Sequence, residues 1–289
     1  MARGNLENGA DDLDRRAAVR TDLDRTASLL ADDEMPPVTV HNAEGASAFL
    51  IVADHAGNAF PRSMGRLGIS EADRARHIAW DIGIAGVCRT LAERLDATLI
   101  QQNYSRLIID CNRPPAAPSS IPPESEATLI PGNLVLSDEE RAARERELFQ
   151  PYHARIAAEL DRRAKVGRPT VLVAMHSFTP VYLGVARPWQ VGVLYNHDTR
   201  FASATLAALR QDSGLTVGDN EPYSVDDTTD YTIPVHGEQR GLLHTGIEIR
   251  QDLITEPAGQ AEWAARMAGA FAMALETCPP DRSPVPLAG

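Results

Sequence analysis

The sequence predicts an α/β layer architecture with a mostly parallel or mixed sheet, and three observations carry that expectation. Apolar runs of strand length recur along the chain, helical patterns separate most of them, and two long loops follow where runs end.

The runs are AFLIVAD (48–54), ATLIQ (97–101), RLIID (106–110), TVLVAM (170–175), QVGVLY (190–195) and GIEIR (246–250). Their near-continuous apolar character suits strands covered on both faces. A first helix is expected from Ser70, which can cap it with Asp73 three residues on, to about Arg94. A second starts at Ser137, whose spacing to Glu140 is that of a capping box, and continues to Lys165, with Pro151 kinking or restarting it. Further helices are expected near 199–211 and 257–276. The proline-dense stretch 112–133 and the polar stretch 218–241 are too long for simple connections. Both are candidate walls of a site, since ligands of open α/β sheets bind beyond the carboxyl ends of strands. Residues 1–35 read as a polar leader, helical or disordered, and 36–289 as a single α/β domain.

Composition narrows the class of partner. The net charge is −12, with no basic run, which argues against nucleic acid or an anionic membrane. No apolar stretch approaches the roughly 18 residues of a membrane span. The leader lacks the cation-then-apolar order of a secretory signal, so a cytoplasmic protein is expected. Cys88, Cys111 and Cys278 are odd in number and widely spaced, which suits reduced thiols rather than a disulfide framework. Lys165 is the only lysine, so an internal cationic site has to be built from arginine, whose planar fork grips a carboxylate.

Polar residues stand where buried strands end. Asp54 and His55 follow the first run, His176 the fourth, and Glu248 and Arg250 lie in the last, where alternation places them on one face. A lone histidine there can be a satisfied core residue, and Glu248 with Arg250 can be a structural ion pair. Two histidines from different strand ends plus a carboxylate also make a catalytic zinc set, with a non-ligand glutamate as general base.

The motifs DHAGNAFP (54–61), WDIG (80–83), YSRLIIDCNRP (104–114), HSFTP (176–180), RPWQVGVLYN (187–196) and VHGEQRGLLHTGIEIRQDL (235–253) resemble, in order, those of the N-formylglutamate amidohydrolase family over most of residues 45–255. A more distant similarity is to zinc carboxypeptidases. The resemblance implies a three-layer α/β/α fold and a zinc-dependent hydrolase of N-formylglutamate or a similar N-acyl acidic amino acid. It implies His55 and His176 as zinc ligands, Glu248 as general base, and Asn112 with Arg113 as the grip on a substrate carboxylate. Carboxypeptidase-type enzymes place an acidic ligand three residues after the first histidine, where this chain has Asn58. The resemblance implies Asp81 of WDIG as the third ligand, an acid that needs a partner if it faces inward, against the alternative of an i,i+4 ion pair with His77. Arg106 or Arg187 is expected to stabilise the oxyanion, Arg250 and Arg187 or Arg240 to help bind acidic substrate, and His236 to support the site or shuttle protons. His244 is as readily a satisfied strand-edge residue, and His41, His153 and His197 read as structural or exposed. Tyr223 and Tyr231 can approach from the late loop. Asp54 is given a supporting role. A deacylase or carboxypeptidase-like hydrolase with another substrate, and a non-catalytic binder of acidic ligands, stay open as alternatives; an oligomer is compatible with the chain.

Overall fold

The computed structural model describes residues 28–280, so the leader expected over 1–35 falls largely outside the described residues. Seven strands form the main sheet: β1 (Val38–His41), β2 (Phe49–Ala53), β3 (Thr98–Gln102), β6 (Val171–Phe178), β9 (Val191–Leu194), β10 (Val217–Asp219) and β11 (Leu243–Arg250). Two small hairpins, β4–β5 (Glu124–Ser125, Thr128–Leu129) and β7–β8 (Val181–Tyr182, Val185–Ala186), stand apart from it. The sheet order is β1-β3-β2-β6-β11-β9-β10. Pairs β2–β3, β2–β6, β6–β11 and β9–β10 are parallel, whereas β1–β3 and β9–β11 are antiparallel. This is the mixed, mostly parallel sheet that the alternating pattern predicts.

The helices are α1 (Glu71–Arg74), α2 (Ile84–Leu95), α3 (Asp138–Arg144), α4 (Gln150–Lys165), α5 (Arg200–Leu209) and α6 (Pro257–Thr277). Alternation along the central strands divides the core between two faces. Phe49, Ile51, Val173, Met175, Ile247 and Ile249 pack in one cluster with residues of α2, α5 and α6. Leu50, Val52, Leu172 and Ala174 pack in the other with Tyr152, Ile156 and Leu160 of α4. Helices thus cover both faces in three layers. Among the described residues no helix is long and apolar enough to cross a membrane. Cys88, Cys111 and Cys278 are all free.

Three expectations about elements need correction. The helix expected from Ser70 to Arg94 is broken: Ser70 caps only α1, and the chain turns through residues 75–83 before α2 begins. Tertiary partners take the hydrogen bonds of the turn. Asp81 N–H donates to the His55 carbonyl at 2.9 Å, and the Ala79 carbonyl accepts from Ser105 Oγ at 2.7 Å and Arg106 N–H at 3.1 Å. Gly83 closes it with φ +82°, and a Cβ there would stand 2.1 Å from the Ile254 carbonyl oxygen. The run 106–110 is buried but turned rather than extended, with Ile108 N–H on the Ser105 carbonyl and Asp110 N–H on that of Ser120. Apolar continuity cannot separate a buried turn from a strand. Edge strands β1 and β10, too weakly apolar to register as runs, were not anticipated. The helix from Ser137 forms with its capping box and passes Pro151 through a π turn, Glu145–Phe149.

Candidate metal and active site

The site lies where β2, β6 and β11 end and where the 75–83 turn reaches them. His176 and Glu248 belong to adjacent parallel strands and are register partners, so both project from the same face of the sheet. His55 follows β2 directly. The loop carrying it is pressed against the chain beyond β3, so closely that a Cβ on Gly57 would meet the Asn103 carbonyl at 2.0 Å.

His55, Asp81 and His176 converge with one ligand atom from each within 4.8 Å of the others. Asp81 Oδ2 lies 3.0 Å from His176 Nδ1 and 3.6 Å from His55 Nδ1, and accepts the Ser177 N–H at 3.2 Å. The far nitrogen of each ring faces a second carboxylate. Asp110 Oδ1 accepts from His55 Nε2 at 2.7 Å, and Asp54 Oδ2 lies 3.3 Å from His176 Nε2. Thr232 Oγ1 donates to Asp54 Oδ1 at 2.8 Å, and the buried Tyr152 phenol lies beside the same carboxylate. Both imidazoles are thereby oriented with Nδ1 towards Asp81, the arrangement by which outer carboxylates fix the tautomer of metal-ligating histidines.

The electrostatics are those of buried charges that hold one another. Burial opposes ionisation of Asp81, yet His55 and His176 keep its carboxyl below the usual range. Burial opposes ionisation of Asp54 as well, and His176, His55 and His153 together hold it down to about 2. Burial opposes protonation of His176, but the hydrogen bonds and charges of Asp54 and Asp81 raise its pKa well above the ordinary value. Glu248 differs. Burial, with the charge of Asp81 adding to it, pushes its carboxyl up to about 7 against the pull of His176, His55 and Arg106.

These residues fit a divalent metal. The set of two imidazoles and one carboxylate is one that zinc accepts, and His55 Nδ1 is buried without a hydrogen-bond partner. Glu248 Oε2 is also buried and unpartnered, which is costly for a polar atom unless something else meets it. Asn58 stays out of the cluster and donates its amide to the Arg74 carbonyl. His77 pairs with Glu126 rather than Asp81.

A pocket of about 760 Å³ opens over the cluster, lined in part by both long loops. Of the residues expected to bind substrate, Arg106, Asn112 and Arg113 line it. Arg106 pairs with Asp110 at 2.7 Å and reaches Asp81 at 3.6 Å. Arg113 pairs with Asp230 at 2.9 Å, while the Asn112 side-chain oxygen accepts from Thr232 N–H at 3.0 Å. Arg187 stands behind the wall, its guanidinium over the rings of Tyr182 and Tyr223. Arg250 is turned away: alternation gave its face correctly, but its side chain folds back on Asp252 at 2.8 Å. Arg240 pairs with Asp161. His236 does not line the pocket either; it is stacked on His153 with Nε2 3.0 Å from its Nδ1. His244 contacts Glu238 and the Leu242 carbonyl, as a satisfied strand residue does.

Asp110 was not singled out from the sequence. Its signal was available, since it is an acid closing an apolar run, as Asp54 is. The π turn Ile233–Glu238, whose N-cap Thr232 reaches Asp54, left no comparable trace.

The comparisons with known proteins give the family, and with it a hydrolase acting on amides. The profile of the N-formylglutamate amidohydrolase family matches residues 47–255, and the chain belongs to that family. The structure is similar to the crystal structure of gene product Atu2144 from Agrobacterium tumefaciens, at 40% identity and TM-score 0.83 over 86% of this chain and 98% of that one. It is also similar to N-formylglutamate amidohydrolase from Ralstonia eutropha JMP134, at 19% identity and TM-score 0.59 over 84% and 98% of the two chains, a likeness of fold. A comparison with curated protein sequences gives no significant match.

Proposed function

We propose that the protein is a zinc-dependent hydrolase that cleaves the amide of an N-acyl acidic amino acid, N-formylglutamate being the family's reference substrate. The observation that carries this reading is the buried, unpartnered Oε2 of Glu248 beside the His55–Asp81–His176 cluster. Those three residues would hold the metal, which when bound acidifies water and polarises a carbonyl.

The chain's own residues do the rest. Glu248 takes a proton from the attacking water at Oε2. The C–O bond forms, the C–N bond breaks, and Glu248 returns the proton to the departing nitrogen. Arg106, held by Asp110, is placed to donate to the developing oxyanion, an interaction worth roughly 3–4 kcal/mol in acyl-transfer enzymes. Arg113 and Asn112, fixed by the 226–232 loop, take the amino-acid carboxylate.

Metal content and turnover of N-formylglutamate test the reading together. The wild type should retain near-stoichiometric zinc after dialysis and His176→Ala should lose it. A wild type that stays metal-free after zinc is resupplied would leave the cluster a structural ion-pair network.

A further inference from the structure

The pocket is larger than the reference substrate needs. N-formylglutamate has about a dozen non-hydrogen atoms; at ~20 Å³ each, below the ~30 Å³ of a liquid water, it fills about a third of the space. Cavities of roughly 300–1,000 Å³ are those that take drug-sized ligands, and this one measures about 760 Å³.

The surplus space has an aromatic wall. Tyr182 and Tyr223 both line the pocket and remain 37% and 42% exposed. Their rings flank Arg187, whose Cζ stands 4.6 Å and 4.7 Å from the two centroids and 5.8 Å from that of Phe178. Arg187 Nη1 donates to the Tyr223 hydroxyl at 2.8 Å. Among the described residues no carboxylate pairs with Arg187, so its charge is left to the two rings. The result is a pair of rings at the pocket wall, held from behind by a guanidinium. Such a surface stacks flat groups.

We propose that the preferred substrate is an acidic amino acid whose nitrogen carries an aromatic acyl group rather than formyl. The ring packs on Tyr182 and Tyr223, whose positions Arg187 fixes from behind. This rests on the hydrolase reading above. The balance is that of any amide hydrolysis: water supplies the new C–O bond, the C–N bond breaks, and the nitrogen leaves protonated as the free amino acid beside an aromatic carboxylate.

The test compares kcat/KM of the zinc-loaded full chain on N-benzoyl-, N-acetyl- and N-formyl-glutamate, with Tyr182→Ala beside wild type. The benzoyl substrate should exceed the formyl one by at least tenfold, and the variant should narrow that ratio at least fivefold. Formyl turnover equal to or above benzoyl turnover overturns the inference and leaves the hydrolase standing. A benzoyl preference that Tyr182→Ala leaves untouched overturns the assignment of the wall. No turnover of any of the three overturns the hydrolase reading and this inference with it.

Discussion

Glu248 and His176 are register partners on adjacent parallel strands, so the spacing between the candidate base and one candidate ligand is set by the sheet's own repeat rather than by a loop. A group held that way has little freedom to misplace its oxygen. Glu248→Gln keeps size and register while removing the ability to accept a proton. It should lower kcat by about 10³-fold, within the span usual for general bases, with zinc content unchanged. Elemental analysis alongside steady-state kinetics reads both; turnover near the wild-type rate would show that the base is elsewhere.

The carboxylates behind the two imidazoles predict a second effect. Asp110→Asn and Asp54→Asn each remove a charge that orients a ring without touching the cluster's Nδ1 atoms. Each should weaken metal affinity by roughly 10–100-fold, the effect typical of such outer partners. Competition with a chromophoric chelator measures this, and unaltered affinity in both variants would mean the rings are oriented by packing alone.

Metal uptake should displace protons. Neighbouring carboxylates raise the pKa of both His55 and His176 against the effect of burial, so below the raised values the rings carry the protons that a metal must replace. The apparent affinity therefore rises with pH. Calorimetric titration in buffers of different ionisation enthalpy should show net proton release near neutrality, and binding that is independent of buffer would contradict the protonated rings.

A further pH effect comes from the His153–His236 pair, which includes none of the three candidate ligands. His153 Nε2 donates to the Cys111 carbonyl at 2.7 Å, which leaves its Nδ1 to accept from His236 Nε2. Burial lowers the two pKa values to about 4 and about 3. Between these values and the unfolded value of 6.5 the unfolded chain binds more protons, so this pair makes stability rise with pH across that window. At pH 5 the cost is roughly 2 kcal/mol per ring relative to neutral pH. The raised His55 and His176 act in the opposite sense in metal-free protein, and a comparison with His236→Gln separates the two. The variant should lose less of its urea midpoint than wild type between pH 7 and pH 5; parallel slopes would count against the neutral pair.

Much of this site could be read from the sequence because its residues interrupt strong patterns. His55, His176 and Glu248 each stand at or in an apolar strand, where burial makes a polar group conspicuous. Asp81 was reached through the family resemblance, and the helix assigned around it was wrong because its backbone partners come from residues 55 and 105–106, far away in sequence. Asp110 was hidden by its neighbours: RLIID has the composition of a strand, and only the hydrogen bonds to Ser105 and Ser120 make it a turn. Arg250 shows the opposite failure. Strand alternation predicts the face of a side chain but not its reach, and a long guanidinium beside Asp252 has a nearer partner than any substrate.

The place of β11 in the sheet bears on how the protein comes into being. The last strand in sequence is seated between β6 and β9, in the interior of the sheet, and it brings Glu248. During synthesis the chain up to β10 therefore presents two sheet fragments with a gap, and the strand that joins them leaves the ribosome after them. Closing that gap requires contacts distant in sequence, a topology that folds slowly because loop entropy is spent before the pairing rewards it. The candidate ligands from the end of β2, the 75–83 turn and β6 are all synthesised before the candidate base, so the order of translation delivers the histidine–aspartate cluster first and the whole candidate site only when the sheet is complete.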